Sequence, residues 1–211
     1  MDTMNRTALL SEFLLLFVTP PLLVVSGLLP KAAIMPLLWI VSLYAYLILR
    51  SSKIKVLALD VERQELYDVL KRFLVIGSAI TLFTLLYQPS IFLSLLKDNP
   101  WQWLAVMLFY PVFSAFVQEL LFRSFFFYRY RKFFKGRPLL FVMLNALLFA
   151  YVHIVFGNWI AVIFTFFGGL LFAHTYLKSR SLLLTAIEHS LYGNLLYTLG
   201  LGYYFYHGAN I

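Results

Sequence analysis

A glutamate and an arginine four residues apart, Glu119 and Arg123, stand inside the apolar run AFVQELLFRSFFFYRYRKFF (115–134). Two histidines, His153 and His189, stand in later apolar runs. One carboxylate and two imidazoles are the minimum set for activating a water molecule. The carboxylate takes the proton, its affinity set by burial and by the arginine beside it, while the imidazoles hold the water or stabilise the oxyanion of an attacked carbonyl. The same trio of Glu119, His153 and His189 also makes a catalytic zinc ligand set, and spacing leaves both chemistries open. Simpler readings stand beside these: a neutralised i,i+4 ion pair that helps helices pack, and an interior histidine bonded to a carbonyl.

Further polar residues fall at similar positions: Gln118, His174, Glu188 and Asn194. His174 lies near the inner end of its run, where an imidazole reaches lipid headgroups, and His207 sits in the C-terminal tail. That these runs lie in a membrane follows from composition. Of the 211 residues 62% are hydrophobic and 12% charged, with a mean hydropathy of +0.84; a soluble domain of this length is not built so. The absence of cysteine excludes disulfides and thiolate chemistry.

Crossing a bilayer takes about 20 apolar residues. Candidate spans are 8–29, 33–49, 73–96, 101–127, 138–156, 158–177 and 181–199, so the expected fold is all-α, a polytopic integral membrane helical bundle of about seven transmembrane helices. A single membrane domain over 1–211 is expected, with N-terminal helices in 1–100 and a core bundle in 101–200. The polar connection 50–72 should carry a short surface helix starting near Asp60. The N-terminus shows no cleavable signal pattern and reads as a retained first helix.

The net charge of +8 need not mean nucleic acid. With the 50–72 loop in the cytoplasm, Arg6, Lys178, Arg180 and the basic residues of 50–72 and 128–138 lie inside, and only Lys31 and Lys97 outside. This is the positive-inside distribution, so a nucleic-acid partner is not called for. It puts the N-terminus in the cytoplasm and the C-terminus outside, in a bacterial-type plasma membrane. Trp101, Trp103, Trp159, Tyr203, Tyr204 and Tyr206 then form an outer aromatic belt.

At the polar residues the chain resembles the CAAX prenyl protease and bacteriocin-processing family (CPBP, or Abi) of glutamate-type intramembrane endopeptidases. The family's motifs are Glu-Glu-x-x-x-Arg, Phe-x-x-x-His and His-x-x-x-Asn or Asp. Here they read QELLFR (118–123), FAYVH (149–153) and HSLYGN (189–194). The resemblance spans about 101–200. It implies a hydrolase acting on a membrane-associated protein or peptide tail within the lipid bilayer, without a cofactor. Glu119 and Arg123 match the second glutamate and the arginine, Phe149 and His153 the second motif, and His189 the third.

Two positions depart from the family. Gln118 replaces the first glutamate, and an amide cannot accept a proton, so either Glu119 is the base or the protein is a non-catalytic relative that binds a membrane partner. Asn194 follows His189 by five residues, about 140° round a helix, where four would give about 40°; a break or overwinding at Gly193 would bring it back. The expected mechanism has Glu119 deprotonating a water held with His153 and His189, Asn194 and His189 stabilising the oxyanion, and Arg123 positioning Glu119. Glu188 is expected to support a histidine, with acting in place of the missing glutamate as the alternative. At about 1.5 Å per residue, Glu119 and His189 lie about 14 and 12 Å deep, but His153 about 22 Å, so the fifth helix must start late or tilt. A proton-coupled transporter would also bury Glu, Arg and His, but no inverted repeat is visible. A retinal receptor lacks its lysine in the last span.

Overall fold

The computed structural model describes residues 5–52 and 60–205, and every element among them is helical. Helix α1 is Arg6–Val25, α2 Lys31–Ser51, α3 Arg63–Tyr87, α4 Pro100–Phe134, α5 Pro138–Phe156 and α6 Trp159–Ser179. These six are long and apolar enough to cross a membrane. The seventh, α7, is Leu182–Leu199. It has the length, but Glu188, His189 and Asn194 dilute its hydropathy, and half of its residues are buried among the other helices. Lipid never has to solvate that polar face. The chain is an integral multi-pass membrane protein.

The helix starts follow from local sequence. Asn5 caps α1 through Ala8 N (2.8 Å), Asn158 caps α6 through Ala161 N (2.8 Å) and Ser181 caps α7 through Leu184 N (3.1 Å); each side chain satisfies an orphan backbone donor. Pro100 and Pro138 open α4 and α5, where a missing N–H costs nothing. Helices α5 and α6 form a close hairpin. A Cβ on Gly169 would stand 2.9 Å from Ala146 Cα, so only glycine permits this approach.

Two boundaries correct the sequence reading. Among the described residues no separate surface helix starts near Asp60 and no span covers 73–96: α3 runs unbroken from Arg63 to Tyr87. No proline interrupts it, and its amphipathic first turns are held by Lys178–Asp68 (2.8 Å) and by Arg72 on Glu188. The remaining stretch divides into a turn at Pro89–Ile91 and a short helix at Ser94–Asp98. The fourth span is longer than 101–127, reaching Phe134 in 35 residues. At 1.5 Å per residue that is about 50 Å, well beyond a hydrocarbon core of about 30 Å. Residues 53–59 of the polar connection, and Tyr206 and His207, lie outside the described residues.

Helices α1 and α4 are irregular, with π-helical turns at Leu14–Val18, Pro111–Ala115 and Leu120–Phe125. Such turns disturb the carbonyl ladder, and in lipid every exposed carbonyl needs a partner. Neighbouring helices supply them. Tyr151 Oη donates to Val18 O (3.0 Å), Trp39 Nε1 to Phe113 O (2.8 Å), Ser42 Oγ to Val117 O (3.3 Å) and Asn145 Nδ2 to Phe122 O (2.8 Å). The bundle is keyed together at its own defects.

An ion cluster locks α1 to α4. Arg129 grips Glu12 with two donors, Nε to Oε1 (2.8 Å) and Nη2 to Oε2 (2.6 Å), and Tyr44 and Tyr130 donate to the same carboxylate (2.7 and 3.0 Å). Phe17 packs below it against Phe122, Phe126 and Tyr130 at centroid distances of 5.4, 5.6 and 6.0 Å. Removing one partner of a buried pair strands the other charge. Glu12→Ala is therefore expected to destabilise the bundle by about 3–5 kcal/mol, and Glu12→Leu with Arg129→Met to recover most of that. Thermal unfolding in detergent checks this; a double variant as unstable as the single would refute it.

Candidate active site

Tyr110, Ser114 and Gln118 recur every fourth residue on one wall of α4. They face a cavity of about 1070 Å³, completed by α1, α2, α3, α5, α6 and α7. Most of the lining is apolar, including Pro21, Leu38, Phe149 and Phe172; His153 and His189 are its two imidazoles. A large apolar cavity with a few convergent polar groups is the form a binding site takes.

Glu119, the next residue on α4, faces the other way and is fully buried. Its Oε1 accepts a hydrogen bond from His189 Nδ1 (2.8 Å), and its Oε2 lies 3.1 Å from Arg123 Nε. Since a carboxylate only accepts, His189 carries its proton on Nδ1 and presents Nε2 as an acceptor. Tyr110 Oη, 2.9 Å from Nε2, donates to it. The imidazole stacks on Phe172 (centroids 4.6 Å, 20° between planes) and meets Phe149 edge-on at 5.6 Å. Both its nitrogens and one of its faces are thus held.

Arg123 anchors the carboxylate from behind. Its Nη1 donates to Asn145 Oδ1 (2.6 Å), and the guanidinium lies over the Phe149 ring at 5.0 Å. Asn145 in turn caps Phe122 O, so the chain of contacts closes on the backbone of the π-helical turn that carries Arg123. The order hydroxyl, imidazole, carboxylate, guanidinium runs from the cavity wall into the interior. Its first three members are the arrangement by which a base is oriented by an acid and presented to a hydroxyl.

The other expected residues divide. Phe149 joins the two histidines, with ring distances of 5.0 Å to His153 and 5.6 Å to His189. His153 follows the α-helical part of α5, on a 3₁₀ turn, and its Nδ1 donates to Phe149 O (2.6 Å). Its Nε2 is left as an acceptor at the cavity, but no hydrogen bond links His153 to Glu119 or His189. Gln118 lines the cavity and donates to Ser114 Oγ (2.8 Å).

Three expectations are corrected. Glu119 does not line the cavity: it is fully buried, with His189 hydrogen-bonded to one oxygen and the Arg123 guanidinium 3.1 Å from the other. Asn194 does not swing into the site: α7 stays helical through Gly193, and Asn194 Nδ2 donates to Met107 O (3.3 Å). That carbonyl is the one Pro111 would have satisfied had it an N–H. Glu188 supports no histidine and does not replace the missing carboxylate; Arg72 binds it through Nε (3.1 Å) and Nη2 (2.6 Å), and Nη2 also reaches Thr175 Oγ1 (2.7 Å). Among the described residues no three His, Cys, Asp or Glu side chains are grouped to hold a metal ion.

Sequence reasoning missed Tyr110, Asn145, Phe172 and Arg72. Asn145 carried the signal used for the others, a polar side chain deep in an apolar run. Tyr110 and Phe172 carried none, being aromatics among aromatics, and Arg72 was assigned to the polar connection.

No curated protein and no solved structure matches the chain. A family model does match residues 100–196, that of the Type II CAAX prenyl endopeptidase Rce1-like proteins. This stretch holds Tyr110, Glu119, Arg123, Asn145, His153 and His189. The helices that build the cavity's polar wall therefore lie largely within the stretch that is similar to the Rce1-like type II CAAX prenyl endopeptidases.

Proposed function

We propose that the protein is an intramembrane endopeptidase that hydrolyses a peptide bond in the tail of a membrane-associated protein or peptide. In this reading His189 is the base and Glu119 holds it. One observation carries the proposal: a Glu119–His189–Tyr110 chain, rooted in the buried Glu119, ends at an apolar cavity large enough for a peptide segment. The family match supports the same reaction class.

Water in the cavity loses a proton to His189, and its oxygen attacks the carbonyl carbon. Glu119 stabilises the imidazolium that forms, as the acid of a catalytic triad does. Gln118 cannot act as a base, but its second amide hydrogen is free to donate to the developing oxyanion, with Ser114 beside it. His153 Nε2 accepts a hydrogen bond from the water and orients it. The imidazolium then protonates the leaving amine, giving one new carboxyl terminus and one new amino terminus. Arg123 and Asn145 fix Glu119, and the scheme uses no cofactor.

Gln118 also favours a second reading, a non-catalytic relative that holds a membrane partner in the same cavity. The two readings diverge at Gln118→Glu. If Gln118 is an oxyanion donor, a carboxylate there repels the oxyanion, and activity should fall about 10²-fold. A gain in cleavage would instead identify a glutamate-type enzyme whose base the native chain lacks.

Comparison of protein N- and C-termini in membranes carrying native protein, Glu119→Gln or His189→Ala is the direct test. A defined set of termini should be lost in both variants at equal expression, with decreases of about 10²- to 10⁴-fold. Unchanged termini would refute the peptidase.

We place the N-terminus in the cytoplasm and the C-terminus outside a bacterial-type plasma membrane, on the placement of the basic residues. The native chain has no cysteine, so single cysteines report cleanly. Lys135→Cys should react with a membrane-impermeant maleimide only after cell lysis, and Trp101→Cys, at a site 82% exposed, in intact cells. The reverse pattern would invert the topology.

A further inference from the structure

Residue 193 follows His189 by one helical turn and lines the cavity, yet it has no side chain. The space that side chain would fill is already occupied. A Cβ on Gly193 would overlap the ring and the hydroxyl of Tyr110. The polar atom beside His189 Nε2 therefore comes from another helix, as Tyr110 Oη at 2.9 Å.

The ring is held for this position. It meets His189 edge-on at 5.9 Å and Tyr197 at 5.5 Å. The π-helical turn starting at Pro111 follows directly, and its extra residue sets the register in which Tyr110, Ser114 and Gln118 face the cavity together. Asn194, which would otherwise offer an amide here, is committed to Met107 O. Among the described residues no other side chain has a hydrogen-bonding group on His189 Nε2.

We propose that Tyr110 is a catalytic residue of this peptidase, its hydroxyl carrying the proton between the attacking water and His189 from the place that a side chain at residue 193 would occupy. The proposal rests on the peptidase reading above. Water gives a proton to Tyr110 Oη as Tyr110 passes its own to His189 Nε2. The water oxygen bonds to the carbonyl carbon, and the carbonyl π pair moves onto its oxygen. On collapse the proton returns from His189 through Tyr110 to the amide nitrogen, the C–N bond breaks and the carbonyl re-forms. One water is consumed, and the acid and amine are released with no oxidant or reductant.

The test uses the full chain in its native membrane, with the termini that vanish in His189→Ala defining the products. Tyr110→Phe keeps the ring against Gly193 and removes only the hydroxyl. Those termini should fall about 10²-fold at equal expression and unchanged melting temperature. Gly193→Asn should displace the ring and lose activity. Tyr110→Ala combined with Gly193→Ser, which brings a hydroxyl able to relay the proton into the vacated space, should cleave faster than Tyr110→Ala. Native-level products from Tyr110→Phe would overturn the assignment of Tyr110 while leaving the peptidase intact. A double variant no better than Tyr110→Ala would overturn the claim that the hydroxyl fills the place of a residue 193 side chain. If His189→Ala changes no terminus, both readings fall together.

Discussion

The Glu119 carboxylate sits with no solvent exposure in the interior of a membrane bundle, and the rest of the site follows from having to satisfy it. Burying an unpaired carboxylate costs far more than a folded protein can tolerate. Two partners share it, one per oxygen: His189 from α7 and Arg123 from its own helix. Each partner then raises the same demand in turn. Arg123 needs Asn145 and the faces of Phe149 and Phe172, and Asn145 spends its amide on Phe122 O. His189 needs an acceptor's partner on Nε2, and Tyr110 provides it. Three helices are fixed relative to one another by one negative charge.

A second demand, that of backbone carbonyls, runs through the same helices. The π-helical turns of α4 redirect side chains, and Gln118 and Glu119 end up in different compartments: one facing the cavity, the other sealed in the interior. Side chains from α2 and α5 satisfy carbonyls that those turns disturb, and Asn194 satisfies the one that Pro111 leaves open. The irregular geometry of the site and the packing of the bundle are thus the same set of contacts. A regular α4 would need none of these partners and would not present the cavity wall it does.

Much of this was legible in the sequence where the physics is one-dimensional. Hydropathy marks the spans because lipid tolerates only satisfied backbone, and Glu119, Arg123 and His189 stand out because charge is expensive there. What the sequence could not show was orientation. Gln118 and Glu119 are adjacent letters about 100° apart round the helix, and only the rotation of α4 within the bundle decides which of them meets the cavity. Asn194 looked one residue out of place, and the structure gives it a different task, while the vacancy at Gly193 belongs to an aromatic 83 positions earlier in the chain. Tyr110 was invisible because a tyrosine in an apolar run is ordinary; its meaning lies in the glycine it touches. Asn145 was visible by the same logic as the histidines and was overlooked.

The Glu12–Arg129 pair has a consequence for the order in which the protein comes into being. The two residues are 117 positions apart, and synthesis proceeds N-terminus first at about 5–20 residues per second, so the first helix is made roughly 6–25 seconds before its arginine exists. Through that interval its carboxylate has no permanent counter-ion. Tyr44 of α2 emerges early and offers one hydroxyl, a temporary companion until α4 arrives. The charge that seats the first helix thus arrives only with the fourth, so the α1–α4 contact closes late in the making of the chain.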